Sequence, residues 1–184
     1  MRIIGGQWRG TRLAEVGAGD PSAHLRPTSD RVRESIFNLL INGGYDNPVE
    51  GARVLDLFAG TGALGLEALS RGAATLTLID DGPAARALIA RNIALCRTAA
   101  VHLRLNATKL PPNAAAPYTL IFLDPPYGKS LGEAALQSAQ NSGWLAPEAL
   151  IVWEEGSALP PPPGFTQLDQ RRYGDTCVTI LRAP

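Results

Sequence analysis

Short apolar runs rich in β-branched residues alternate along this chain with segments whose apolar positions recur every three or four residues. The runs Arg53 to Leu57, Thr75 to Ile79, Val101 to Leu105, Thr119 to Leu123 and Ala149 to Trp153 predict five strands. Between them, helical spacing predicts a helix from the glycine loop after Leu57 to Arg71, then Pro83 to Cys96 and Leu131 to Gln140. Ahead of the first strand, Val32, Ile36, Leu39 and Leu40 share one helical face over Arg31 to Asn42, with capping candidates in Pro27-Thr28-Ser29-Asp30 and a stop at Gly43-Gly44. This alternation predicts an α/β fold, a doubly wound and mostly parallel sheet covered on both faces. The two ends read differently. Gly5-Gly6-Gln7-Trp8-Arg9-Gly10 predicts the turn of a small N-terminal hairpin. After the spacer Pro160 to Pro163, Phe165 to Arg172 and Thr176 to Arg182 predict an antiparallel hairpin that closes one sheet edge. No internal repeat or linker divides the chain, so residues 1–184 read as a single domain, a basic arm over 1–25 and a catalytic core over 26–184.

Composition agrees with a globular domain: of 184 residues, 45% are hydrophobic and 18% charged. The N-terminus lacks an apolar stretch of signal-peptide length and no window approaches a membrane span, so the expected location is the cytoplasm. Cys96 and Cys177 stand far apart without partners at ligand spacing and read as buried thiols, so no metal site is expected. Net charge is zero, yet Met1 to Arg33 holds six arginines against three acids. Fifteen of the seventeen basic residues are arginine, which suits phosphate contact, although a GC-rich genome produces the same bias.

The first strand runs into Gly60-Thr61-Gly62-Ala63-Leu64-Gly65, a G-x-G-x-x-G loop opening a helix, and Asp80 closes the next strand. That context predicts a nucleoside cofactor. A dinucleotide and S-adenosylmethionine share the fingerprint, and charge separates them. A pyrophosphate is repelled by a carboxylate beside the loop, where Asp56 stands, whereas a sulfonium and an ammonium group are attracted to it. Asp80, or failing it Asp81, would accept the ribose hydroxyls. Asn106 is placed either to bond the adenine edge or to cap its own loop.

At the end of the fourth strand stands Asp124-Pro125-Pro126-Tyr127. An exocyclic amino group on a base is a poor nucleophile because its lone pair is delocalised. Acceptors that take hydrogen bonds from its N–H groups draw density back to nitrogen. Asp124 and the Pro125 carbonyl fit that task, Pro125 and Pro126 hold the turn rigid, and Tyr127 can stack on the base. No metal is required. Trp8, Arg9 and Arg12 in the arm, Arg33 on the first helix and Lys129 after the acidic motif are the candidates for RNA contact. For Trp8 the alternative is packing against the domain, and for Arg33 it is an exposed ion pair with a neighbouring acid. His24 and His102 stand alone and are given no role.

Asp56 to Gly65 together with Asp124-Pro125-Pro126-Tyr127 resembles the class I S-adenosylmethionine-dependent amino-methyltransferases. With Gly5 to Gly10, Arg26 to Asn38 and Tyr173-Gly174-Asp175-Thr176 added, nearly the whole chain is similar to the RsmD family. That resemblance implies a Rossmann-like methyltransferase acting on the N2 amino group of a guanine in 16S ribosomal RNA, within an assembling small subunit. It implies cofactor contacts at Asp56, Gly60, Gly62, Asp80 and Asn106, with Arg26 to Thr28 at the entrance. Phe58 and Ala107, beside these motifs, complete the expected cofactor set, and a monomer is expected. Asp80 departs from the family's usual Glu, and lysines are scarce. The other readings are an N6-adenine or protein-glutamine methyltransferase, an NAD-binding oxidoreductase, and an inactive RNA-binding module.

Overall fold

A computed structural model describes residues 1–15 and 28–184. Arg26, Pro27, His24 and the expected boundary between arm and core lie outside the described residues. The elements run α1 (Asp30–Asn42), β1 (Arg53–Leu57), α2 (Ala63–Ser70), β2 (Thr75–Ile79), α3 (Pro83–Cys96), β3 (Val101–Leu103), β4 (Tyr118–Leu123), α4 (Leu131–Asn141), β5 (Leu145–Glu155), β6 (Thr166–Tyr173) and β7 (Thr176–Arg182). They build a seven-stranded sheet of order β3-β2-β1-β4-β5-β7-β6. The strands β1 to β5 pair in parallel, and the β6–β7 hairpin joins antiparallel beside β5. The expected architecture is therefore the one observed, with β7 inside the sheet and β6 at its edge.

Period-two alternation divides each strand between two cores. Val54, Leu78, Phe122, Val152 and Ile180 face a layer with Ile36, Phe37 and Leu40 of α1, Leu66 of α2 and Ile89 of α3. Leu57, Ile79, Leu123, Ile151 and Trp153 face the other layer with Leu136 of α4, Trp144 and Phe165. Several boundaries differ from the sequence reading, most of them by one or two residues. The strand expected to reach Leu105 ends at Leu103, because β3 has β2 alone as partner and the Leu105 N–H folds back onto the Leu103 carbonyl at 3.0 Å. The strand expected from Ala149 begins at Leu145, where the β4–β5 register shifts.

The N-terminal hairpin forms, with an Arg2–Arg12 bridge and the Ile3 N–H donating to the Thr11 carbonyl at 2.9 Å. It is fastened to the domain. Ile3 is fully buried, and Glu67 of α2, itself buried, accepts the N–H groups of Ile4 and Gly5 at 2.8 Å each. Gly6 rests against the end of α2 so closely that a Cβ there would lie 1.7 Å from the Ser70 carbonyl oxygen. Asn92 of α3, also buried, accepts from the Ala14 N–H at 2.7 Å and donates to the carbonyls of Ala14 and Thr61 at 3.0 and 2.9 Å. One amide thus satisfies the arm and the glycine loop together. Asn92→Leu strands three backbone groups and should lower stability by about 2–5 kcal/mol in denaturant titration. A loss below about 0.5 kcal/mol would show that water replaces the amide at no cost.

Candidate active site

A cleft of about 850 Å³ opens at the carboxyl ends of β1, β2 and β4, where the strand order reverses about β1. This is the crevice in which open α/β sheets bind ligands. Its walls bring together Thr28, Asp56, Phe58, Gly60, Asp80, Asp81, Asn106, Ala107, Asp124, Pro125, Pro126, Tyr127 and Lys129. Residues distant in sequence therefore converge on one site, as the two motifs required.

The floor is Asp56, 1% exposed and held by the Gly65 N–H at 2.9 Å. Gly65 has no room for a side chain: a Cβ would lie 2.5 Å from Leu76 Cδ1 and 3.0 Å from Asp56 Oδ2. Burial lifts the Asp56 carboxyl to about 8; the Gly65 N–H opposes that rise, and the nearby Asp124 and Asp80 add to it. Around it the loop is wound through left-handed backbone at Phe58 (φ 58°), Gly60 (φ 56°) and Gly62 (φ 77°). Phe58 carries a side chain through that region, a strain that clusters at ligand sites. Gly62 is the N-cap of α2 and does not itself line the cleft, although its neighbours Thr61 and Ala63 do.

Asp80 ties two turns together, accepting from the Gly60 N–H at 2.9 Å and the Gly82 N–H at 2.8 Å. Each carboxyl oxygen still has a lone pair for a ligand. Asp81 is exposed. Asn106 caps the short 3-10 turn Ala107–Lys109, its Oδ1 accepting from the Thr108 N–H at 2.9 Å. Its carboxamide N–H groups stay available at the cleft wall.

At the opposite wall Asp124 is half-buried, and its carboxyl is pushed up to about 7, chiefly by burial, with Thr28 opposing and Glu155 reinforcing. The Thr28 hydroxyl lies 3.3 Å from Asp124 Oδ2 and 3.2 Å from Oε1 of Glu154, a fully buried acid of β5. Sequence reasoning missed Glu154, which there looks like the polar end of an apolar strand. The available signal was register: Leu123 lies opposite Trp153, so the next positions, Asp124 and Glu154, share a face with Phe122 and Val152. Tyr127 is 37% exposed; its hydroxyl lies 3.2 Å from Thr176 Oγ1, and its ring lies over Gly156. Burial raises its hydroxyl to about 12, so it is a neutral phenol at physiological pH.

Two expectations about RNA contact change. Arg33 is fully buried, pairing with Asp30 at 2.9 Å and lying 3.8 Å from Glu67, with further contacts to the carbonyls of Thr28 and Arg2. It fastens α1 to the arm and is not available to a phosphate. Trp8 is half-buried, packed in part against the core, with its backbone N–H donating to Ser70 Oγ at 3.0 Å. Arg9, Arg12 and Lys129 are at the surface. Cys96 and Cys177 are free, buried thiols. Among the described residues no cluster of three or more His, Cys, Asp or Glu is arranged to hold a metal, and no helix is long and apolar enough to cross a membrane.

Comparison with known proteins adds an independent finding. The chain is 43% identical over 155 residues to Ribosomal RNA small subunit methyltransferase D of Escherichia coli K12, covering 84% of this chain and 74% of that one. It is 34% identical over 182 residues to the protein of that name from Haemophilus influenzae, covering 95% and 89%. The solved structure of yhhF from Escherichia coli superimposes with a TM-score of 0.80 at 36% identity, covering 100% of this chain and 97% of that one. Magnesium protoporphyrin IX methyltransferase from Synechocystis, solved with bound SAM, shares the fold alone at a TM-score of 0.62, 12% identity and 84% and 79% coverage. The family described as Conserved hypothetical protein 95 matches residues 1–182, and the chain belongs to it as an enzyme of the Rossmann-like methyltransferase class.

Proposed function

We propose that this protein transfers a methyl group from S-adenosylmethionine to the exocyclic N2 amino group of a guanine in 16S ribosomal RNA of an assembling small subunit. The observation that carries the reading is the half-buried Asp124, standing in one cleft with the Asp56 floor. The relatives bearing the name small subunit methyltransferase supply the ribosomal substrate, and the RsmD-like motifs supply guanine N2.

The residues fit the cofactor. A buried acid under the glycine loop, a second acid at the end of β2 and a third across the cleft make a crevice whose raised carboxyls lose their protons as a cation approaches, so that it favours a cationic ligand over a pyrophosphate. This disfavours a dinucleotide. Asp56 would face the cationic end of the cofactor, directly or through water, and the approach of a positive charge would draw its raised carboxyl toward ionisation. Asp80 would take the ribose hydroxyls, Asn106 the adenine edge, and Phe58, Gly60 and Ala107 the surrounding surface; Arg26 and Thr28 belong to the entrance. The cofactor supplies an electrophilic methyl on sulfur.

Asp124 does its work at the substrate. Its carboxylate and the Pro125 carbonyl accept the two N–H groups of the amino nitrogen, which rotates the lone pair out of conjugation and aims it into the cleft. Positive charge that grows on nitrogen as its bond to the methyl forms is stabilised by the same acceptors, and the surplus N–H proton then passes to the Asp124 carboxylate. The fixed φ of Pro125 and Pro126 keeps the carbonyl aimed without a competing N–H. The Tyr127 ring, anchored through its hydroxyl at Thr176, offers a face on which a guanine lifted from its helix can stack. Holding both reactants in line supplies much of the remaining rate gain. Arg9 and Arg12 on the docked arm, with Lys129 at the cleft mouth, would meet the RNA backbone.

Asp124→Ala should lower kcat by about 100-fold or more while the calorimetric Kd for S-adenosylmethionine stays within about threefold. Near-normal turnover of undermethylated small subunits would remove the acceptor role. Replacing Arg9 and Arg12 together by Ala should weaken RNA binding and flatten its salt dependence, the slope falling by about one for every phosphate that the arginines neutralise. An unchanged slope would take the arm out of the interface.

A further inference from the structure

Glu154 is a fully buried carboxyl to which methyl transfer at Asp124 gives no task. Among the described residues its carboxyl has one hydrogen-bonding partner, the Thr28 hydroxyl, at 3.2 Å from Oε1 and 3.3 Å from Oε2. That same hydroxyl lies 3.3 Å from Asp124 Oδ2. A hydroxyl owns a single proton and so can donate to one carboxylate at a time. If both acids were ionised, one side of Thr28 would be an oxygen–oxygen contact with no hydrogen in it, and two negative charges would face each other out of water. A proton on Glu154, the more deeply buried of the two, resolves the conflict and gives the chain a direction. Glu154 then donates to Thr28 Oγ1, and Thr28 donates to Asp124 Oδ2.

We propose that Glu154 is a positioning residue for amino-group methylation: as a neutral acid it turns the Thr28 hydroxyl onto Asp124 and fixes Asp124 as the ionised acceptor. This rests on Asp124 being the acceptor of the substrate N–H. With Oδ2 occupied by Thr28, the carboxylate is held in one rotamer, and its other oxygen is the one presented to the amino group. A Thr28 hydroxyl pointed instead at an ionised Glu154 would leave Asp124 unanchored and next to a second charge.

The charges around Glu154 support this arrangement. Burial above all, then Asp124 from β4 and Asp56 from β1, raise its proton affinity, while the Thr28 hydroxyl and the Arg33 guanidinium of α1 oppose them. Tyr127 and Glu155 complete the group of neighbours. The result places Glu154 well above an ordinary carboxylic acid, with Asp124 at about 7. The two acids titrate as a pair, and the working form carries one proton. Activity should therefore rise as the first proton leaves near neutrality and fall as the second leaves in alkaline solution.

The test follows methyl transfer to small subunits lacking the modification, from pH 6 to 10, for wild type, Glu154→Gln, Glu154→Ala and Thr28→Val. Calorimetric cofactor binding and thermal melting run alongside. A Gln amide keeps the donor to Thr28 at every pH. Glu154→Gln should hold kcat within about threefold of wild type at neutral pH and lose the component of the alkaline fall that belongs to the acid pair. Glu154→Ala and Thr28→Val should each lose about tenfold or more in kcat, and the Glu154 variants should bind cofactor within about threefold of wild type. The proposal is overturned if Glu154→Ala turns over within about twofold of wild type, or if the Gln variant reproduces the wild-type alkaline limb. It is equally overturned if a folded, cofactor-binding Gln variant is as slow as Ala. If Glu154→Ala does not fold, the Gln and Val variants carry the same decision. Full turnover by Asp124→Ala would instead sink the acceptor reading itself, and the two failures are distinguishable.

Discussion

The structure depends on carboxyl groups withdrawn wholly or partly from water at the carboxyl ends of three adjacent strands. Asp56 of β1, Asp124 directly after β4 and Glu154 of β5 lie on the same face of the sheet, the face covered by α1. Each would be ionised in solution, and each is raised by burial and by neighbouring acids. Such a cluster is unfavourable without compensation. Compensation comes from the Gly65 N–H, the Thr28 hydroxyl and the Arg33 guanidinium beneath. On the proposed function, a cation at one end and amino N–H groups at the other would supply the rest, and the cleft lies between them.

That arrangement requires α1 to be placed accurately, since Thr28 immediately precedes its N-cap Ser29. Arg33 sets the placement from within the helix, and Glu67 extends the network to the arm by bonding Ile4, Gly5 and Arg71. Asn92 closes it from α3 by joining Ala14 to the backbone of the glycine loop. The N-terminal hairpin is thus part of the scaffold under the candidate active site, while Arg9 and Arg12 in the same hairpin are exposed.

The sequence by itself determined the alternation of strands and helices, the glycine loop, the acidic motif and their convergence on one sheet edge. These are local patterns: periodicity, glycine where φ is positive, and proline fixing a turn. Helix α3 and strands β1 and β2 end where their patterns predict, because their apolar faces and breakers are adjacent in sequence. Charge near the loop also pointed to a cationic ligand, since Asp56 is read directly beside it.

Only the tertiary structure decided the fates of Arg33, Trp8 and Glu154. An arginine on an amphipathic helix looks the same in sequence whether it meets phosphate or a buried glutamate of a later helix. Trp8 packs in part against the core because its backbone is tied to Ser70 of α2. Glu154 acquired a role because the β4–β5 register set it next to Asp124 and placed one hydroxyl between them. Pairing register and the burial of charge are relations between distant segments, and their energies depend on what surrounds a group in space, which a linear pattern does not encode.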